Sequence, residues 1–80
     1  MHKSTSTRSY AHFLAVLREE RERAGVSQDE MAARLGETQS FVSKCERGER
    51  RMDIIELREF CKAMGLTLEK FVKQLERGMR

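Results

Sequence analysis

Gln39, Ser40, Ser43, Lys44 and Arg47 carry amide, hydroxyl, ammonium and guanidinium groups at spacings that share one side of a helix. Such a row makes hydrogen bonds to another polar surface and contains nothing that breaks or forms a covalent bond. Lys44, Arg47, Arg50 and Arg51 fall within eight residues, so the row runs into a local cluster of positive charge. Groups with reactive chemistry are not assembled by any motif. Cys45 and Cys61 stand sixteen positions apart with no CxxC and no nearby His pair, which gives neither zinc nor redox spacing and reads as two buried thiols. His2 lies in a tail and His12 on a polar helix face. No motif joins His to a carboxylate or to Cys, and no glycine loop is built to cradle a phosphate. The chain therefore reads as a non-enzyme with no cofactor and no metal.

The elements that must position this row are helical. There is no proline, and Leu, Glu, Arg, Lys, Met and Ala, which lose least in a helix, make up most of the sequence. Tyr10, Phe13, Leu14, Leu17 and Ala24 recur at helical spacing and predict a first helix from Ser9, its N-cap, to a stop at Gly25. Ser27 followed by Gln28, Asp29 and Glu30 reads as a capping box that starts helix two, with Met31, Ala32 and Leu35 inward and Gly36 at its end. Glu37 makes the turn, and Thr38 caps a third helix over residues 39–47 that stops at Gly48. Val42 and Cys45 share its inner face, with Phe41 beside them.

Residues 49–52 form a basic loop. Asp53 then begins a fourth helix with Ile54, Leu57, Phe60, Cys61 and Met64 on the buried side, ended by Gly65. Thr67 caps a fifth, whose stripe is Leu68, Phe71, Val72 and Leu75, closed by Gly78. The expectation is an all-α bundle of about five short helices around one core, a single domain over residues 9–78 preceded by a flexible arm over residues 1–8, where Lys3 and Arg8 could touch a polyanion.

Eighty residues support one core and bury only about 60–65% of the surface an unfolded chain exposes, too little for a deep cleft between lobes. Charged residues are 36% and apolar ones 39%, the balance of a folding helical domain. The net charge of +3 is mild, and no segment forms a basic tail, so charge by itself says little about the partner. No apolar run approaches the roughly 18 residues needed to span a bilayer, and the first nine residues lack a secretory stretch. A cytoplasmic location without membrane contact is expected.

A helix, a tight glycine turn and a second helix present that second helix steeply, in the way that lets it enter a DNA major groove. Ala32 must be small where helices two and three cross, Gly36 supplies the positive φ of the corner, and Val42 anchors helix three. Across residues 14–76, and most densely in VSQDEMAARLGETQSFVSKCERGER at residues 26–50, the chain resembles the phage repressor and Cro helix-turn-helix family of bacterial transcriptional regulators, with the lambda-repressor-like fold. Its Ser-Gln helix start, the Ala and Gly of the turn, the Val of helix three and the Glu-Arg-Gly exit carry the resemblance. Glu37, Cys45 and the proline-free Arg51-Met52-Asp53 depart from it.

The resemblance implies base readout by Gln39, Ser40, Ser43 and Lys44, with the Gln39 amide suited to adenine and Lys44 to guanine acceptors. It implies phosphate contacts by Gln28, Thr38, Arg47, Arg50 and Arg51. Phe41 stands beside the base readers and is read either as core or as a contact to a thymine methyl or a partner subunit. An internal ion pair between Arg21 and Glu46 is also implied, a structural link between helices one and three.

One helix-turn-helix reads few base pairs, so the expected assembly is a homodimer on double-stranded DNA, with Leu68, Phe71, Val72 and Leu75 at the dimer interface. The function implied is that of a repressor or autoregulator. A second reading, from another class, is a protein-interaction adaptor such as an antitoxin that holds a partner protein.

Overall fold

The side chains that end each helix explain the architecture of the computed structural model, which describes residues 7–79. Five α-helices follow in order: α1 Arg8–Arg23, α2 Gln28–Leu35, α3 Gln39–Glu46, α4 Ile54–Ala63 and α5 Leu68–Arg77. No strand occurs among the described residues. Thr7, Ser27, Thr38, Asp53 and Thr67 each sit in extended conformation and accept a first-turn amide, which satisfies donors the helix itself leaves open.

Two of these starts differ from the sequence expectation. α1 is capped by Thr7 rather than Ser9: the Thr7 hydroxyl accepts from the Tyr10 amide at 3.1 Å, and its carbonyl takes the Ala11 amide. Arg8, expected in the arm, is the first helical residue; Lys3 and the rest of that arm, residues 1–6, lie outside the described residues. At α2 the Ser27 hydroxyl accepts the Glu30 amide, but the Glu30 carboxylate turns to Arg34 at 3.1 Å instead of closing a box. The reciprocal box belongs to α4, where the Glu56 amide donates to Asp53 Oδ1 at 2.7 Å and the Asp53 amide to Glu56 Oε1 at 3.1 Å.

The core gathers one face of every helix: Val16 and Leu17 from α1, Met31 and Ala32 from α2, Val42 and Cys45 from α3, Leu57, Phe60 and Cys61 from α4, and Phe71 from α5. Both cysteines are free and buried. Tyr10, Phe13 and Leu14 are half-buried, and Ala24 is exposed at the α1 C-cap. Ile54, expected on the buried side, is 59% exposed. It is the first residue of α4, at the edge of the core, where it lines a surface groove with Tyr10, Phe13, Met52 and Leu57.

α1 closes on α5. Phe13 meets Phe71 edge to face at 5.9 Å between centroids. His12, expected on a polar face, is half-buried, and its Nε2 donates to the Leu75 carbonyl at 3.0 Å, which in the last turn of α5 also accepts the Gly78 amide at 3.3 Å. Gly78 packs so closely on His12 that a Cβ there would collide with the imidazole, so this glycine is needed for space and not for a positive φ.

Candidate nucleic-acid interface

The turn between α2 and α3 sets the direction of the candidate face. Gly36 takes φ +69 at the α2 C-cap, and its amide and that of Glu37 return to α2 carbonyls, so the chain reverses within three residues before Thr38 opens α3. α3 is then pinned from beneath by Val42 and Cys45, both with no exposure, and by Glu46 at 2%. Gln39, Ser40, Lys44 and Arg47 project outward and are exposed; Ser43 is half-buried among them.

Glu46 holds the centre. Its Oε2 accepts from Arg21 Nε at 2.6 Å and its Oε1 from Arg21 Nη2 at 3.0 Å, while Arg21 Nη1 donates to the Val26 carbonyl at 2.9 Å. The hydrogen bonds to Glu46 hold the Arg21 guanidinium above its ordinary pKa, outweighing the opposing effect of burial. Glu46 Oε1 also accepts from Gln28 Nε2 at 2.9 Å, and Gln28 Oε1 in turn accepts from Gln39 Nε2 at 2.6 Å. A continuous chain of hydrogen bonds thus leads from the buried ion pair to the first outward residue of α3. Sequence reasoning placed Gln28 and Gln39 separately and missed their contact. The signal was available, since each is the first residue of its helix, one after the Ser27 cap and the other after the Thr38 cap.

The basic cluster is less free than its sequence suggests. Arg50, expected on a phosphate, instead forks onto Glu56 at 3.0 and 2.8 Å and lies 4.8 Å above the Phe41 ring. Glu56 keeps the Arg50 guanidinium above its ordinary pKa, and Arg50 holds the Glu56 carboxyl below the usual carboxylate range. Asp53 with Glu56 is the cap pattern that foretells this acceptor. Arg47 pairs with Glu49 at 2.8 Å and donates to Ser43 Oγ. Arg51 is exposed, with its guanidinium 5.9 Å from the Tyr10 ring centroid, and Lys44 makes no ion pair among the described residues. Phe41 is half-buried and stacks obliquely on Phe60 at 6.3 Å.

The expected dimer stripe is split by depth. Phe71 has no exposure and is occupied by the core of its own protomer, because it is the α5 side chain under Phe13; this corrects its place in an interface. Val72 is 38% exposed, and Leu68 and Leu75 are half-buried. No helix among the described residues is long and apolar enough to cross a membrane, and no group of His, Cys, Asp and Glu among them is arranged to hold a metal.

Residues 12–74 match the family described as "Helix-turn-helix domain". No curated protein matches the chain. Among solved structures, an XRE-family like protein from Pseudomonas syringae pv. tomato str. DC3000 is similar at 46% identity and TM-score 0.80, over 86% of this chain and 84% of that one. The restriction-modification controller protein C.Esp1396I, solved as a tetramer in complex with its natural 35 base-pair operator, shares the fold at 19% identity and TM-score 0.82, over 90% and 95%. The clp gene regulator ClgR from C. glutamicum does so at 23% and 0.79, over 94% and 97%. With five helices among the described residues, a glycine corner between α2 and α3 and a family match over most of its length, this chain belongs to the helix-turn-helix domain family, in its XRE and Cro-like branch.

Proposed function

We propose that the protein is a sequence-specific regulator of transcription that reads operator half-sites in double-stranded DNA with the outward face of α3. The observation that carries this is the row of Gln39, Ser40, Ser43 and Lys44, held from below by Val42, Cys45 and Glu46, with Gln39, Ser40 and Lys44 exposed and Ser43 half-buried among them. Gln39 pairs with adenine and Lys44 with guanine acceptors, Ser40 and Ser43 completing the readout. Phosphates are held by the second amide N–H of Gln28, by Thr38 at the α3 N-terminus, and by Arg47 and Arg51. Arg50 acts instead by fixing the loop on Glu56.

The protein acts as a homodimer on inverted half-sites, because one such helix spans too few base pairs for specific affinity. Leu68, Val72 and Leu75 of α5 form the contact, with Phe71 supporting them from the core. We assign it the role of a cytoplasmic repressor or autoregulator. Selection of bound sequences from a random duplex pool tests the proposal: an enriched inverted repeat is expected, and the double variant Gln39→Ala with Lys44→Ala should lose it. Retention of the same site by the double variant would overturn α3 as the reader. A wild type that enriches nothing would favour the adaptor reading, in which the fold holds another protein.

A further inference from the structure

Between the α2–α3 turn and α4 lies a groove of about 200 Å³ that the reading of DNA leaves unused, since none of Gln39, Ser40, Ser43 and Lys44 lines it. Its apolar lining comes from Leu35, Phe41, Ile55 and Phe60, with the two rings 6.3 Å apart. Ile55 is 64% exposed, more than any other large apolar side chain of the described residues. The rest of the lining is charged, with Glu37, Glu56 and Glu59 against Arg34, in a chain whose net charge is +3. Arg34 is engaged elsewhere: its Nε donates to Glu30 at 3.1 Å and its Nη1 to the Ala63 carbonyl at 2.6 Å.

Two of these lining side chains already seat a planar cation. Arg50 forks onto Glu56 at 3.0 and 2.8 Å, and its guanidinium carbon stands 4.8 Å from the centre of the Phe41 ring. With Glu56 taken, Glu37 and Glu59 remain. Glu37 makes no ion pair among the described residues, although its main chain is fixed by the bond from its amide to the Ala32 carbonyl at 2.9 Å. Glu59 reaches Lys62 only at 3.9 Å, and both of those side chains are more than half exposed. Such a pair is worth little and yields readily to a better partner.

We propose that this groove binds a small organic cation, an amidinium or guanidinium carried on one aromatic ring. The head group faces Glu37 and Glu59, and the ring lies on Leu35, Phe41, Ile55 and Phe60. An apolar wall with a few placed charges is the usual make-up of a ligand site. Size limits the body: a cavity of about 150 Å³ holds benzene, so this groove takes one ring with its substituent and no second ring. Carboxylates outnumber the single arginine of the lining, which selects a cation over an anion of the same shape.

Titration of the isotopically labelled protein with benzamidinium, followed through its backbone amide resonances, tests this. A dissociation constant of about 1 mM or tighter is expected, with the largest shifts at Glu37, Phe41, Ile55 and Glu59. Benzamide, the neutral isostere, and benzoate should bind about tenfold more weakly or worse, and so should guanidinium ion, the head without the ring. Glu37→Gln with Glu59→Gln should weaken benzamidinium by about tenfold. Ile55→Lys sets a cation in the groove and should do the same, whereas Ile54→Lys, one residue away and outside the lining, should stay within about twofold of the wild type. All four side chains are exposed, and the melting transition of each variant verifies folding. Equal affinity for benzamide and benzamidinium would mean that the groove does not choose by charge, and equal affinity for guanidinium ion that it does not use the ring. Either result overturns the assignment. So does full affinity in the double glutamine variant, a set of shifts confined to other parts of the chain, or no shift at about ten times the expected constant.

Discussion

Arg21 and Glu46 lie twenty-five positions apart and meet as a two-pronged ion pair, with side chains 11% and 2% exposed, so that α1 is tied to the end of α3. The carboxylate has a third partner in Gln28, and the guanidinium a second in the Val26 carbonyl, so each charge is nearly saturated with hydrogen bonds. A buried pair of this kind adds little net stability over an apolar replacement, because desolvation offsets the attraction. Its removal by halves is another matter.

Glu46→Ala leaves the guanidinium and the Gln28 amide without an acceptor and is expected to destabilise by about 3–5 kcal/mol, a large part of what a small domain has. Arg21→Ala should cost a similar amount. The double variant Arg21→Met with Glu46→Leu should cost less than either single change, since no charge is stranded. Urea unfolding of the three proteins measures this, and strict additivity of the single losses would show that the pair is not coupled.

Cys61 has no exposure, and burial, helped by the nearby charge of Glu20, pushes its thiol up from 9.0 to about 11. The folded state therefore holds this proton where the unfolded chain has lost it. Its contribution to stability is whole below pH 9 and disappears as pH rises from about 9 to about 11, with a total on the order of 3 kcal/mol. Burial moves Cys45 in the same direction. Denaturant melts at pH 7, 9 and 10.5 should show the decline, and Cys61→Ala should flatten part of it. An alkaline decline of equal size in Cys61→Ala would place its origin elsewhere.

The α1–α5 contact yields a second coupling. In Gly78→Ala the new methyl displaces the His12 ring from the Leu75 carbonyl, which should cost about 1 kcal/mol, the net worth of one such hydrogen bond. His12→Ala removes the same bond and the obstacle together. Adding Gly78→Ala to it should then cost only a few tenths of a kcal/mol, as for neighbours that share one interaction. Thermal melts of the three variants decide, and equal losses from Gly78→Ala in both backgrounds would mean that His12 is not what the glycine accommodates.

What the sequence revealed and what it hid follow from the range of the interactions involved. Caps, glycine stops and helical periodicity act within four residues, so Ser27, Gly36, Thr38 and Thr67 delimit helices as their chemistry requires. Choices between equivalent groups were not legible: Thr7 and Ser9 both offer a hydroxyl, and only the packed helix selects Thr7. Depth within an apolar stripe was also hidden. Phe71 and Val72 are adjacent in one pattern, yet the first is sealed by Phe13 and the second faces out. At the candidate site the row on α3 could be read from spacing. Gln28 and Gln39 were each legible as the first residue of a helix and Glu56 as part of a cap, but which side chains meet there depends on how α2 crosses α3 and how the loop that carries Arg50 folds onto the start of α4.

That capture changes which arginines should matter for DNA. A cation that neutralises a phosphate releases a counterion, so removing one lowers the slope of log affinity against log salt by about 1. Arg51 is exposed and bears no ion pair among the described residues, and Arg51→Ala should show that full change with base preferences intact. Arg50 carries the same charge one position earlier, but both its terminal nitrogens are occupied by Glu56 and its plane by Phe41. Arg50→Ala should therefore leave the slope nearly unchanged. It should instead loosen the loop before α4 and lower the melting temperature. Titrations of labelled duplex at several salt concentrations separate the two, and a full unit of slope lost in Arg50→Ala would mean that DNA pulls this arginine away from Glu56.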